Sequence, residues 1–332
     1  MTGKRRIPLA ALVVALAAAG CGQATDTSSA PADAAPDAKN LTIGVSNLGK
    51  NFPFPAAIVG GIDEKAKELG VKLVQVDAQG TAEKQANDVQ DLIGQKPSGV
   101  LLLPVDSGVA TGLADQLKTA GIPTVAVASQ VGDPAGRKIE DVYPGLVALV
   151  TQAEVKAGRI AGELAVEALP SGGKVAIVEG TAGFAEVKTR SAEFLAPAQA
   201  KGVDLTVVAR QPGDWVPDKA QSACQNILAA HPDVALIYNQ SDDMAVGCSK
   251  AVKAAGSKAK VIGVGGSKLG VEGVSGGDIY GTVCYKPKDM GALALQVLYD
   301  QLTGAKKRDA EFVTYDTPGI TKANVADCAP QW

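Results

Sequence analysis

From Leu41 onward, short apolar runs rich in β-branched residues alternate with stretches of helical length, and this alternation leaves few folds open. Leu41–Ser46, Val71–Val76, Gly99–Leu103 and Ile122–Ala128 read as strands, with Ala56–Leu69, Thr81–Gln95 and Ser107–Ala120 as the helices between them. The strands are almost continuously apolar, as strands are when helices cover both faces of a sheet. Gly70 and Gly121 stand where the helices should stop. A second series opens with a strand near Leu146–Val150 and a helix over Glu154–Leu169. It continues with strand Lys174–Glu179, helix Ala185–Ala200, strand Val203–Ala209, helix Asp218–Ala230 and strand Val234–Tyr238. Helix Asp242–Ala255, strands Lys260–Val264 and Tyr280–Cys284, and helix Lys288–Leu302 complete it. Strands and helices alternating at these lengths imply parallel sheets joined by right-handed crossovers. Two series imply an α/β fold of two doubly wound parallel-sheet lobes, and 332 residues with 46% apolar content suit two domains of ordinary size. In such sheets ligands sit beyond the carboxyl ends of the strands, so function is expected in the loops there.

The first forty residues have a different character. Lys4, Arg5 and Arg6 precede an apolar run, Ile7–Ala19, too short to span a bilayer and suited to the core of a signal peptide over residues 1–20. The run ends in Ala18-Ala19-Gly20-Cys21. This resembles the bacterial lipobox, whose cysteine is acylated, although Ala18 stands where leucine is usual. Residues 21–40 are rich in Ala, Asp, Pro, Ser and Thr and cannot build a core, so they read as a disordered tether behind a lipid anchor on Cys21. The expected location is the outer face of the cell membrane, in the cell envelope or periplasmic space.

Several function classes drop out on residue content. A net charge of −3 with 20% charged residues gives no basic face for nucleic acid. The single histidine, His231, excludes a histidine cluster for a metal and a His-dependent triad elsewhere. Next to Pro232, it reads as a capping or surface residue. Gly263-Val264-Gly265-Gly266-Ser267-Lys268 lacks the third glycine of a dinucleotide loop and the spacing of a P-loop. The chain therefore reads as a binding protein and not as an enzyme, with no cofactor. Besides Cys21 there are four cysteines, Cys224, Cys248, Cys284 and Cys328, without a C-x-x-C pair. An even number in an exported chain favours disulfides. Of the three possible pairings we expect Cys224–Cys248, on helices flanking one strand, and Cys284–Cys328; four buried thiols are the alternative.

The run after the first strand, Ser46-Asn47-Leu48-Gly49-Lys50-Asn51-Phe52-Pro53-Phe54-Pro55, resembles the ribose-binding-protein branch of the type I periplasmic binding proteins. Gln85-Ala86-Asn87-Asp88-Val89-Gln90-Asp91-Leu92-Ile93, Ala229-Ala230-His231-Pro232-Asp233-Val234 and Ser241-Asp242-Asp243-Met244-Ala245-Val246-Gly247 are similar to later stretches of that family. The resemblance spans nearly all of Leu41–Trp332. It implies a monomeric substrate-binding protein of an ABC importer that delivers a small sugar-like ligand to membrane permease subunits. A receptor that presents the ligand to a membrane sensor without transport is the other option, and neighbouring genes would separate the two. Transcription regulators of the same fold need an amino-terminal helix-turn-helix, where this chain has a leader and a tether. The resemblance further implies discontinuous lobes, residues 41–151 plus 285–305 and residues 152–284 plus 306–332. The hinge crossings would fall near Thr151–Gln152, Cys284–Tyr285 and Thr314–Asp316.

The same resemblance implies a pocket of Asn47, Phe54, Asp106, Ser129, Gln130, Arg190, Trp215, Ser241, Asp242, Gly265 and Tyr285. Relatives grip sugar hydroxyls with an Asp-Arg pair where this chain has Ala128-Ser129, an asparagine where it has Ser241, and an aspartate where it has Gly265. Each change removes charge or hydrogen-bonding capacity, and a buried hydroxyl without a partner costs about 1–3 kcal/mol. The expected ligand is therefore less densely hydroxylated than ribose, or differently shaped: a deoxy sugar, a polyol, a lactone-like compound, or one with an anionic group for Arg190. Phe52 and Phe54 also read as core, Arg190 as a helix residue paired with Glu186 or Glu193, and Asp242 as a helix N-cap.

Overall fold

The computed structural model describes residues 40–133 and 135–332, so the leader, Cys21 and the tether up to residue 39 lie outside the described residues. The elements of the first series are β1 (Thr42–Asn47), α1 (Pro53–Leu69), β2 (Lys72–Asp77), α2 (Ala82–Gly94), β3 (Gly99–Leu102), α3 (Ala110–Thr119), β4 (Thr124–Val127) and β5 (Ala148–Gln152). The second series comprises α4 (Glu154–Ala168), β6 (Gly173–Glu179), α5 (Ala185–Glu193), α6 (Ala196–Lys201), β7 (Leu205–Pro212), α7 (Pro217–Ala230), β8 (Leu236–Asn239), α8 (Asp242–Ala254), β9 (Lys260–Ile262), α9 (Lys268–Gly276) and β10 (Gly281–Val283). Helix α10 (Pro287–Thr303), β11 (Glu311–Tyr315), β12 (Gly319–Thr321) and a short 3-10 turn, Val325–Asp327, close the chain.

The strands form two six-stranded sheets of the same winding. The first runs β2-β1-β3-β4-β5-β11 and is parallel throughout. The second runs β7-β6-β8-β9-β10-β12 and is parallel except for the antiparallel edge strand β12. Strand order reverses between β1 and β3 and again between β6 and β8, and a crevice opens at each reversal beyond the carboxyl ends. The loops after β1 and β6 are therefore placed to meet a ligand. Ile43, Val45, Leu101 and Val125 pack with Leu295 and Leu298 of α10 in the first core. Ile177, Leu236 and Ile262 pack with Ile160 and Leu164 of α4 in the second.

Helix α10 returns to the first lobe because two glycines let it lie directly on α1. A Cβ at Gly61 would overlap the Lys288 carbonyl, and one at Gly291 the Ile58 carbonyl. The chain thus leaves the first sheet after β5, returns after β10, and leaves again after β11.

Two expectations need correction. The second lobe is expected to include residues 306–315, but Glu311–Tyr315 pairs in parallel register with Ala148–Gln152 and forms the edge of the first sheet. An edge strand of half-exposed and exposed residues carries no local mark of which sheet it joins. The helix expected over 185–200 is broken at Phe194–Leu195, because Pro197 sits in the first turn of α6 and cannot donate the backbone bond of a helix interior.

Both disulfides form as expected. Cys224–Cys248 joins α7 to α8, and Cys284–Cys328 joins the end of β10 to the tail beyond the 3-10 turn. The first closes a loop with a sequence separation of 24 residues. Replacing both Cys224 and Cys248 by alanine is expected to lower the unfolding free energy by about 2–4 kcal/mol. Urea unfolding measures it, and a variant as stable as the parent contradicts the structural role of this bridge.

Candidate functional site

The carboxyl ends of the two sheets enclose a cavity of about 140 Å³ with six aromatic side chains in its wall: Phe52, Phe54, Phe184, Trp215, Tyr285 and Trp332. Phe52 caps α1 and Phe54 lies in its first turn, where Pro53 fixes the entry of the chain. The Phe54 ring lies 6.0 Å from Tyr285 and meets Trp332 edge-on at 5.4 Å. Trp215 meets Phe184 edge-on at 6.0 Å. Two features aim the Trp215 ring. Asp214 and Trp215 both hold left-handed backbone, with φ of 52° and 62°, a conformation such residues adopt at a cost. Gly180 is bare, and a Cβ there would run into the indole.

Behind the rings lies a buried ion pair. Arg190 of α5 donates from Nε to Glu154 Oε2 at 2.6 Å and from Nη2 to Oε1 at 2.8 Å, with side-chain exposures of 6% and 1%. Its Nη1 donates to the Gln240 carbonyl at 2.8 Å. The Tyr285 hydroxyl donates to Glu154 Oε2 at 3.0 Å, and the guanidinium lies 5.3 Å from the Tyr285 ring and 5.8 Å from Trp215. Burial disfavours the charged guanidinium, but the Glu154 carboxylate more than offsets this and holds Arg190 well above its ordinary pKa. Gln240 secures the β6 loop, accepting from the Gly180 N–H and donating to the Val187 carbonyl, both at 3.0 Å.

Two further carboxylates shape the field. Asp242 accepts from the Ser267 N–H at 2.7 Å and the Thr282 hydroxyl at 2.6 Å. Burial pushes it up to about 6 despite those bonds. Glu186 accepts from the Ser129 hydroxyl at 2.9 Å, a bond between the two lobes. It is pushed up to about 7, first by burial and then by the Glu154 carboxylate, with Arg190 and Ser129 opposing. Ser107 adds two more bonds across the mouth: its N–H donates to the Gly183 carbonyl, and its Oγ accepts from the Ala185 N–H, both at 3.1 Å.

Of the residues expected from sequence, Phe54, Arg190, Trp215, Ser241, Asp242, Gly265 and Tyr285 line the cavity, and Asn47, Asp106, Ser129 and Gln130 do not. Asn47 is buried under the β1 loop, where its Oδ1 accepts from Gly49. Asp106 Oδ1 accepts from the Val109 N–H ahead of α3. Ser129 reaches Glu186 across the mouth, and Gln130 Nε2 donates to the Arg137 carbonyl. The N-cap of α8 is Ser241, which accepts from the Met244 N–H; Asp242 is the first helical residue. Arg190 pairs with neither Glu186 nor Glu193 but with Glu154, and Glu193 pairs with Arg159. Gln152, Glu186, Gln240, Phe184 and Trp332 also line the cavity and were not anticipated. For Gln152 and Gln240 the available mark was position, since each ends or follows a strand.

Comparison with known proteins gives a consistent result. A model of the periplasmic binding protein domain matches residues 43–306. The ribose import binding protein RbsB of Bacillus subtilis is 32% identical over 268 residues, covering 81% of this chain and 84% of that protein. A solute-binding protein of an ABC transporter from Mycobacterium smegmatis, solved with bound glycerol, superposes with a TM-score of 0.77 at 30% identity, covering 87% of this chain and 96% of that one. The Caulobacter myo-inositol binding protein, solved with myo-inositol, gives a TM-score of 0.78 at 25% identity, covering 89% and 97%.

Two expected outcomes follow from the charges. Glu154→Ala leaves a buried guanidinium uncompensated and should cost about 3–5 kcal/mol in urea unfolding, while Glu154→Met with Arg190→Met should recover most of that loss. Equal loss in the single and double variants contradicts the pairing. Glu186 has a raised pKa in the folded protein, so its contribution to stability is complete below the usual carboxylate range and is lost as the pH rises to about 7. The melting temperature of the parent should therefore fall relative to Glu186→Gln between about pH 5 and pH 7.5; parallel profiles contradict it.

Proposed function

The chain belongs to the periplasmic binding protein family, and from that premise we propose that it captures a small neutral sugar or polyol between its lobes and delivers it to an ABC importer. The family is one of substrate-binding proteins, and its members are exported. Acylation of Cys21 then holds the protein, a monomer, at the outer face of the membrane, with residues 21–40 as the tether and the permease as its membrane partner.

The observation that carries the reading is the cavity itself, walled by six aromatic side chains at the carboxyl ends of both sheets. Aromatic rings offer flat apolar faces for the C–H face of a sugar ring, and partners at the rim take its hydroxyls. The relatives and neighbours named above bear on ligand class: one is named for ribose import, one holds glycerol and one holds myo-inositol. Charge supports a neutral ligand. Arg190 is committed to Glu154 and the Gln240 carbonyl, while Glu186, Asp242 and Asp243 also line the cavity. An anionic ligand would meet carboxylates without a free cation, so the anionic alternative raised from sequence loses its basis. Closure turns on the three connections between the sheets, after Gln152, around Cys284–Tyr285 and around Asp316–Thr317.

Thermal shift with D-ribose, D-allose, myo-inositol and glycerol is the direct test, because a ligand that binds only the folded state at about 100 times its Kd stabilises it by about 2.7 kcal/mol. At least one neutral compound should raise the melting temperature and compact the protein in solution scattering. Phe54→Ala and Trp215→Ala should each weaken binding of that compound by about tenfold or more. A response confined to sugar phosphates or sugar acids would overturn the reading.

A further inference from the structure

The tail after β12 belongs to neither sheet, yet it reaches the cleft. The Cys284–Cys328 bridge ties it to the end of β10, beside the second connection between the sheets. Beyond the bridge the tail touches both lobes. Gln331 Oε1 accepts from the backbone N–H groups of Lys288 at 2.8 Å and Asp289 at 3.3 Å, at the start of α10. The Trp332 carbonyl accepts from the Lys268 N–H at 2.9 Å, at the start of α9. The indole of Trp332 then lies against Phe54 of the first lobe and over Gly265 of the second, where a Cβ would come 3.0 Å from Cζ2. A side chain at position 265 would displace the ring, so the bare glycine and the indole occupy one space between them.

One polar atom of Trp332 is unaccounted for. Its Nε1 is buried and donates to nothing, although the residue lines the cavity. Gln152, which lines the same cavity, has a buried Oε1 with no partner. A buried donor and a buried acceptor left open are costly unless something fills them. A hydroxylated ring supplies both complements, because a hydroxyl oxygen accepts while its proton donates.

We propose that Trp332 is a specificity-determining residue of the cleft: held by the Cys284–Cys328 tether, it forms one wall of the cavity and donates its indole N–H to an oxygen of a small neutral hydroxylated ligand. The proposal rests on the cleft being the ligand site. The tail and the bridge thereby become part of recognition, and the Gln152 amide oxygen takes the complementary proton.

Isothermal titration of the parent protein, Trp332→Phe, Trp332→Ala and the double variant Cys284→Ser with Cys328→Ser, each with D-ribose, D-allose, myo-inositol and glycerol, tests it. Trp332→Phe keeps a ring against Phe54 and removes only the N–H. For each probe that binds the parent, the expected result is a loss of affinity of about tenfold in Trp332→Phe and a similar or larger loss in the cysteine variant, with the unliganded melting temperature of Trp332→Phe unchanged. Binding within twofold of the parent in both Trp332 variants overturns the proposal. If no probe binds the parent, the sugar reading fails by itself and Trp332 is judged without ligand. The chain has two tryptophans, so Trp215→Phe leaves Trp332 as the sole indole. Emission shielded from acrylamide then supports a buried wall, and emission quenched as freely as indole in water overturns it.

Discussion

The pairing of Arg190 with Glu154 organises the site on which everything else depends. Glu154 opens α4 directly after the first connection between the sheets, Tyr285 sits at the second, and Arg190 comes from the helix that follows β6. Bonds from Arg190 and Tyr285 converge on the two oxygens of one carboxylate, so both connections and the α5 helix share a single anchor. A buried pair is a poor source of net stability, because desolvation of both ions consumes most of their attraction. Its value here is geometric. The guanidinium fixes where the Trp215 and Tyr285 rings lie, and those rings are wall for the cavity.

That commitment decides the electrostatics of the cavity. Arg190 is the one cation among its lining residues, and its charge is already met by Glu154. Glu186 and Asp242 respond by rising toward neutral pH, each first through burial. The lining thus offers an anion no unpaired cation and presents apolar rings. Selectivity then falls to shape and to a few hydrogen bonds, a regime in which one methylene or one hydroxyl discriminates by a few kcal/mol at most when the site has no dedicated partner for it.

The fold was largely legible because its marks are local. Near-continuous apolar strands, helix-stopping glycines and the spacing of elements give the two doubly wound sheets directly. What escaped was non-local. The sheet that β11 joins depends on its register with β5, and the partner of Arg190 depends on α4 and α5 lying side by side, which the bare Gly158 permits by letting the Arg190 backbone approach. The wall of the candidate cavity was legible where a residue type has few other uses in a loop, as with Trp215, or lies just after the first strand, as with Phe54. Position beyond a strand does not by itself put a side chain in the cavity wall. Asp106 and Gln130 both follow strand ends, but their side chains turn back to hold their own loops. Trp332 carried no periodicity and no flanking motif; only the tail's return beside Gly265 brings it to the cleft.

Closure itself must be a balanced matter. The bonds across the mouth are few: Ser107 to Gly183 and Ala185, Ser129 to Glu186, and the exposed pair of Lys188 with Asp133. Each neutral bond contributes about 0.5–1.5 kcal/mol and an exposed ion pair about 0–1. Against these stands the burial of Glu186, whose ionised form is penalised in the closed cleft. Contacts of this size amount together to a few kcal/mol, which is the range a ligand of moderate affinity can tip. The aromatic wall bridges the mouth, since Phe54 of the first lobe lies against Tyr285 and Trp332. A compound that spans those rings adds apolar contact to both sides at once.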